Sequence, residues 1–177
     1  MKLSTRKLLV VLVLIIAGLA AFAGKVLATP AGGGYQGTTL ATATFDALHL
    51  SAHGDPPNPW DLLLLTHQQS DIYVQQNHWP VGGSTGWHTH PGPSLIILKQ
   101  PGILTEYESD DGTCTKHVYD ATNGNVAFLD TGGPGHAHIL VNDGPVDATT
   151  YAVQFLPKGA TRRVDVTPAP QNCGPSS

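Results

Sequence analysis

The sequence has few positively charged residues, and nearly half of them lie at its amino end. Of nine Lys and Arg, four precede residue 29, and the five that remain are Lys99, Lys116, Lys158, Arg162 and Arg163. All thirteen acidic residues follow residue 28, so the chain from residue 29 onward carries a net charge near −8 with histidine neutral. Nucleic acids and anionic lipids are bound through several Lys or Arg contacts. We therefore expect neither as a partner.

A helical pattern is also missing. After residue 28, no stretch repeats apolar residues at the helical period over three turns. Short runs of β-prone residues alternate instead with Gly, Pro, Asn and Asp. Strands are expected at 38–44, 47–51, 71–79, 88–90, 94–99, 103–108, 116–119, 126–129, 136–141, 148–156 and 161–166. The run 62–66 is either a buried strand or one helical turn, and 94–99 is expected to be a buried strand. The pattern predicts one all-β barrel or sandwich over 38–166.

Cysteine is scarce, with only Cys114 and Cys173 in the chain. A pair in an exported protein is expected to form a disulfide rather than two free thiols. For a loop of this length, the chain-entropy model gives about 4 kcal/mol of stabilisation. The bridge would hold the Pro-rich tail at 167–177 against the middle of the domain.

The expectation of export comes from the first 28 residues, which have the pattern of a secretory signal peptide. Three basic residues precede an apolar run of 16 residues from Leu8 to Ala23, and small residues follow it. The run is shorter than the about 20 residues of a membrane span. We expect a secreted or extracytoplasmic protein that loses residues 1–28, with an uncleaved membrane anchor as the alternative. The glycine-rich residues 29–37 are expected to form a flexible lead-in.

Several motifs of catalysis are absent: a phosphate-binding glycine loop, a nucleophile elbow, and a cysteine beside the histidines. Glu106 and Glu108 share one face of a predicted strand, and a solvated face is expected there rather than an acid–base pair. Five scattered histidines are expected to be surface or half-buried residues: His49, His53, His67, His78 and His117.

The remaining four histidines form two pairs that are the main candidate site. Each pair follows a glycine-rich turn, and the pairs are His88 with His90 and His136 with His138. Residues two apart on a strand point to the same face of the sheet. Neutral imidazole is a common ligand for Zn, Fe, Cu and Ni. The two pairs therefore predict a metal site.

The order and spacing of these residues resemble the two motifs of the cupin superfamily, over roughly a third of the chain. The first motif matches at Gly82, His88, His90 and Gly102. The second matches at Gly124, Gly132, His138 and Asn142, with Asp130 at the position of the family's proline. The resemblance implies a double-stranded β-helix, or jelly-roll barrel, whose histidines face inward near one mouth. It also makes a homodimer an expectation by analogy.

The same resemblance implies a set of metal ligands. They would be His88, His90 and His138, with His136 as the rival for the third place because the loop after Gly132 is longer than in the family pattern. The spacing to Asn142 favours His138.

One ligand of the family pattern is missing. Ser94 or Leu95 occupies the position of the family's glutamate, and neither is a good ligand. A set of three imidazoles resembles the three-histidine iron cupins and argues against the germin-type manganese enzymes. It also fits a catalytic zinc site.

Three functions are consistent with these residues, and no catalytic residue is assigned. The first is an exported cupin that binds a divalent ion, which could be Fe, Mn, Zn, Cu or Ni. The second is a metal-dependent oxygenase or isomerase, and the third is a metal-free binding or structural barrel. A carboxylate or phosphate substrate usually needs an Arg or Lys clamp. Since no cation is adjacent to the histidines in sequence, a small neutral or apolar ligand is expected.

Overall fold

The computed structural model describes residues 32–55, 57, 59–110 and 112–175. Within these residues the chain forms twelve strands and, at Gly32–Gly34, one short 3-10 segment. The strands are β1 (Gln36–Phe45), β2 (His49–His53), β3 (Asp61–Leu65), β4 (Ser70–Trp79), β5 (His88–Thr89), β6 (Ser94–Lys99), β7 (Ile103–Asp110), β8 (Thr113–Asp120), β9 (Val126–Asp130), β10 (His136–Val141), β11 (Ala148–Pro157) and β12 (Val164–Asp165). The expected all-β class is confirmed.

Ten of the described strands form two five-stranded antiparallel sheets. The order is β1-β4-β11-β6-β9 in the first sheet and β12-β5-β10-β7-β8 in the second. The main apolar core lies between them, since Trp79 and Leu98 of the first sheet cluster with Leu104 and Leu140 of the second. This sheet order is the double-stranded β-helix that the histidine motifs implied.

The first sheet is buried on one face only. Alternate residues of β6 face the core, whereas Leu95 and Ile97 keep 52% and 49% of their surface exposed. The prediction of a buried strand at 94–99 is therefore wrong. The run is apolar on both faces because its outer face continues an apolar row, in which Leu95 lies level with Val153 on β11 and Leu129 on β9.

The strands β2 and β3 form a separate hairpin. Of the two alternatives for residues 62–66, the strand is correct. The expected burial of this strand is wrong, because Leu63 is 68% exposed. Because β3 pairs with β2 alone, a run of leucines does not lead here to a buried strand.

The tail packs on the outer face of the second sheet. Cys114 on β8 and Cys173 form the expected disulfide. Cys173 also packs with Trp87 and Ile139 in a second apolar cluster. The indole Nε1 of Trp87 donates a 2.8 Å hydrogen bond to the carbonyl of Pro175. The bridge therefore fixes the tail beside the strand that carries His88.

Several strand boundaries differ from expectation, and one prediction lies outside the described residues. Strand β1 begins at Gln36, inside the predicted lead-in, and β12 covers only Val164–Asp165 of the predicted strand 161–166. Strand β2 is shifted to His49–His53, and β8 is longer than expected, at Thr113–Asp120. The signal peptide at 1–28 falls on residues that the structure does not describe. In the part that it does describe, we find no helix with the length and hydropathy of a membrane span.

Candidate metal centre

Three histidines converge inside the barrel from two adjacent strands. His88 on β5 lies directly opposite His138 on β10, and His90 follows two residues after His88 on the same face. The ring centroids of His88 and His138 are 4.2 Å apart, and those of His90 and His138 are 5.0 Å apart. All three rings are buried, and one nitrogen of each lies within 4.8 Å of the others. The structure thus brings together the three histidines of the motif.

Backbone carbonyls fix the orientation of two of these rings. Nδ1 of His88 is 3.0 Å from the carbonyl oxygen of Gly86, and Nδ1 of His90 is 2.6 Å from that of Gly92. A carbonyl only accepts hydrogen bonds, so Nδ1 carries the proton in each ring. In His88 the lone pair is then on Nε2, whereas Nε2 of His90 also faces an acceptor, Oδ2 of Asp130. A carbonyl at Nδ1 is how proteins orient histidines that bind a metal.

His138 is fully buried, and its hydrogen bonds are incomplete. Its Nδ1 has no hydrogen-bond partner among the described residues, and its Nε2 lies 3.1 Å from Asp130 Oδ2 without hydrogen-bond geometry. A buried polar atom without a partner costs free energy. A metal ion at Nε2 would remove part of this cost, so the residues present fit such an ion.

The pKa shifts of His88 and His90 have opposite directions. Burial, followed by the charge of His138, holds the pKa of His88 well below its usual value, so this ring is neutral at neutral pH. Burial also disfavours charge on His90, but the carboxylate of Asp130 more than offsets this and raises the pKa of His90. Neutral imidazole is the form that coordinates a metal, so His88 is already in that form, whereas binding at His90 would release the proton that Asp130 favours there.

Asp130 is the residue of this site that the sequence analysis did not identify as a candidate. Its Oδ2 is 2.8 Å from Nε2 of His90. Burial alone would raise the pKa of Asp130, but contacts with His138 and His90 hold it well below its usual range. A signal was present in the sequence: Val126, Phe128 and Asp130 alternate along one strand, which places the carboxylate on the face of the core residues.

His136 takes a different position from the other three. Its Nδ1 is 2.7 Å from Oδ1 of Asp110, and its Nε2 is 3.5 Å from Oε1 of Glu108. It also lies within ligand range of Asp130 and His138, in a second group of potential metal ligands. Like Asp130, His136 does not join the group of His88 and His90. Asp110 engages its Nδ1, and its Nε2 is buried without a hydrogen-bond partner among the described residues.

The expectation of a solvated face at Glu106 is wrong. Glu106 has no exposed surface, and Tyr119 donates a 2.6 Å hydrogen bond to its Oε2. Burial raises the pKa of Glu106 to about 7. The error arises because β7 lies between β10 and β8 in its sheet and turns this face toward the barrel interior. Glu108, two residues further along, is half-buried between His117 and His136.

The five scattered histidines are all on the surface, as expected. Three of them lie near carboxylates: His53 by Asp61, His78 by Asp147 and His117 by Glu108. None of the five belongs to a group that could hold a metal ion among the residues described here.

No family model and no curated protein matches the chain. Among solved structures, peruvianin-I from Thevetia peruviana latex, described as a cysteine peptidase, is 23% identical, with a TM-score of 0.42 over 54% of this chain and 55% of that one. Oxalate oxidase in complex with glycolate is 20% identical, with a TM-score of 0.43 over 54% of this chain and 46% of that one. A cupin domain from Bordetella pertussis is 14% identical, with a TM-score of 0.38 over 62% of this chain and 93% of that one.

The alignment spans about half the length of the first two of these proteins. The sheet order is that of a jelly-roll barrel, and the two histidine motifs that meet on β5 and β10 resemble those of the cupin superfamily.

Proposed function

We propose that this protein is an exported cupin that binds one divalent metal ion through His88, His90 and His138. One observation carries the proposal: three buried imidazoles converge, and backbone carbonyls hold the Nδ1 atoms of His88 and His90. His138 is buried without a hydrogen-bond partner among the described residues, which is costly, and an ion shared with His88 and His90 would satisfy its Nε2. Imidazole donors suit Fe, Zn, Cu and Ni, and Mn is also retained as a candidate.

The chain's own contribution is to orient the ligands and to keep His88 neutral. A bound divalent ion would act as a Lewis acid or would lower the pKa of a bound water. Burial keeps His88 uncharged, and the carbonyls of Gly86 and Gly92 set the tautomers of His88 and His90. A site of this kind needs no rearrangement of these two rings before it binds an ion.

The ligand that this cupin would accommodate is a small neutral or apolar molecule. Arg163 is the cation whose charge acts on His88. Its guanidinium already donates to the carbonyl of Thr85 and to the carboxylate of Asp165, each at 2.6 Å. A cavity of about 280 Å³ beside His90 is lined without any charged Lys, Arg, Asp or Glu in the described residues. An anionic substrate would therefore lack a cationic partner there.

Export is supported by the Cys114–Cys173 disulfide, because such bridges persist in oxidising compartments. Mass spectrometry of the protein recovered outside the cytoplasm tests the proposal. We expect the mass of a chain that begins near residue 29 and in which the two cysteines form a disulfide. Recovery from the cytoplasm alone, with residues 1–28 intact, would contradict it.

Elemental analysis tests the metal site directly. The protein is purified from its exported form without a histidine tag, beside the variant His88→Ala/His90→Ala. The matched control is His49→Ala/His67→Ala, which removes two exposed imidazoles instead. We expect near-stoichiometric metal in the wild type and in the control, and none in the site variant.

No metal in the wild type, and no uptake of added Fe, Mn, Zn, Cu or Ni, would overturn the proposal. The barrel would then be a metal-free binding or structural protein. Iron together with oxygen consumption would support the oxygenase alternative, and zinc without turnover would support binding alone.

A further inference from the structure

We propose that Asp130 supplies a carboxylate ligand to the ion held by the three histidines, in place of the glutamate that is missing at Ser94. The inference rests on the proposed metal site and adds a fourth protein ligand to it. It assigns the carboxylate to β9 of the first sheet, whereas the family pattern places it on the strand that follows the first histidine pair.

The strand register explains how a carboxylate on β9 can take the place of one on β6. Ser94 on β6 lies directly opposite Asp130 on β9. Both side chains are buried, with exposed fractions of 5% and 3%. Directly paired residues have Cβ atoms about 5 Å apart, so a carboxylate on either strand can reach the same point in the barrel. Leu95, the other residue at the family's glutamate position, faces outward and is 52% exposed.

The distances at Asp130 match those between neighbouring ligands of one ion. Its Oδ2 lies 2.8 Å from Nε2 of His90 and 3.1 Å from Nε2 of His138. Two donor atoms that are each about 2.1 Å from a common ion and at right angles to one another are about 3.0 Å apart. The carboxylate therefore lies close enough to both imidazoles to share an ion with them.

A purely orienting role for Asp130 does not fit the atoms involved. A carboxylate that orients a metal-binding histidine bonds to the ring nitrogen remote from the metal. In His90 that nitrogen is Nδ1, which the carbonyl of Gly92 already occupies at 2.6 Å. Asp130 contacts Nε2, the nitrogen that would face the ion. The other oxygen, Oδ1, is buried and has no hydrogen-bond partner in the described part of the chain.

His136 is the competing fourth ligand, because its Nε2 is buried without a hydrogen-bond partner among the described residues, 3.5 Å from Oε1 of Glu108. Its Nδ1 already contacts the Asp110 carboxylate at 2.7 Å, and it is Asp130 that lies 2.8 Å from Nε2 of His90. Three imidazoles and one carboxylate would leave a divalent ion with a net charge of +1, which is easier to hold in the barrel interior than the full +2 of a three-histidine site.

Cobalt(II) binding tests the assignment in the full exported chain. The variants are Asp130→Asn, Asp130→Ser and the exchange Asp130→Ser/Ser94→Glu, and the matched control is Asp110→Asn, which removes the carboxylate beside His136. Affinity comes from competition with a chelator, and the visible absorption of Co²⁺ reports its ligand number. Circular dichroism and thermal unfolding confirm that each variant folds.

We expect Asp130→Asn and Asp130→Ser to weaken Co²⁺ binding at least tenfold and to change the shape of its spectrum, while Asp110→Asn changes neither. The variant Asp130→Ser/Ser94→Glu should recover affinity to within about threefold of the wild type, because it supplies the carboxylate from the paired strand β6. Wild-type affinity and spectrum in Asp130→Asn would overturn the role of Asp130 and leave the three-histidine site intact. Failure of the exchange to improve on Asp130→Ser would also count against it. No Co²⁺ uptake by the wild type would overturn the metal site itself.

Discussion

Tyr119 donates a 2.6 Å hydrogen bond to the carboxylate of Glu106 inside the barrel. The phenol ring stacks on Phe128, with ring centroids 3.8 Å apart, so its position is fixed by packing. The second oxygen of Glu106 is buried and has no hydrogen-bond partner among the described residues. A single hydrogen bond does not offset the burial of the charge, and the pKa of Glu106 rises to about 7.

The raised pKa of Glu106 predicts that the free energy of unfolding falls as the pH rises. The ordinary pKa of a glutamate side chain is 4.5, whereas that of Glu106 in the folded protein is about 7, so the folded state keeps its proton over a range where the unfolded state has lost it. The stabilisation present below pH 4.5 is therefore lost between about pH 4.5 and 7, by up to about 3 kcal/mol. Glu106→Gln should remove this dependence.

Urea unfolding at pH 4.5, 6 and 8 in the presence of a chelator measures this pH dependence of stability. Glu106→Gln should gain stability over the wild type as pH rises, and Glu108→Gln, which is half-buried, serves as the control. If the wild-type and Glu106→Gln stabilities run parallel across this range, Glu106 does not titrate as proposed.

Glu106 also shows what strand alternation can and cannot predict. Period-two patterning places Leu104, Glu106 and Glu108 on one face, but it does not say whether that face lies in the barrel or in water. The histidine pairs were predictable because their glycine turns and spacing are local in sequence. Alternation along β9 indicates which face Asp130 takes, but not its place beside the histidines, because that depends on the pairing of β9 with β6, two strands that are separated by two others in the chain. The exposure of the leucines on β3 was unpredictable for the same reason, because a hydrophobic run does not specify which strands pack beside it.

A glycine beside His90 sets a steric condition for the metal site. Gly132 has a φ of +60°, and a Cβ there would lie against the imidazole, 2.6 Å from its Cε1. Gly132→Ala should push the ring of His90 away from the carbonyl of Gly92 and weaken binding of the metal at least tenfold. Chelator competition with Co²⁺ measures the change.

The adjacent Gly133 provides the control for backbone strain. Its φ is +115°, and a Cβ there would meet nothing within 4 Å. Gly133→Ala should lose stability without the same loss of affinity for metal. Equal loss of affinity in both variants would show that strain, rather than contact with His90, is responsible.

The disulfide should contribute strongly to stability, because it closes a long loop. Cys114 and Cys173 are separated by 59 residues, for which the chain-entropy model gives about 4 kcal/mol. Cys114→Ser/Cys173→Ser should lower the free energy of unfolding in urea by about that amount, and a reductant should do the same to the wild type. The reductant should not affect the variant. A difference below about 1 kcal/mol would show that the packing of the tail on Trp87, and not the bridge, holds it.

Asn142, the last residue of the second motif, is predicted to stabilise the fold rather than to bind metal. It is fully buried. Its Nδ2 donates to the carbonyls of Trp79 and Val146 at 2.8 and 2.9 Å, and its Oδ1 accepts from the backbone N–H of Gly144 at 3.1 Å. Asn142→Ala leaves these three backbone groups without their partner, and should cost about 3 kcal/mol in urea unfolding.

Asn142→Asp tests the two hydrogen bonds that the side-chain amide nitrogen of Asn142 donates. It keeps an acceptor for Gly144 but loses both donors, and it places a carboxylate next to two carbonyl oxygens. At pH 8 it should therefore be less stable than Asn142→Ala, and the difference should shrink as the pH falls and the carboxylate is protonated. Both folded variants should bind Co²⁺ with wild-type affinity, because the hydrogen bonds of Asn142 go to backbone groups and not to a histidine. A loss of affinity at full stability would instead give Asn142 a part in the metal site.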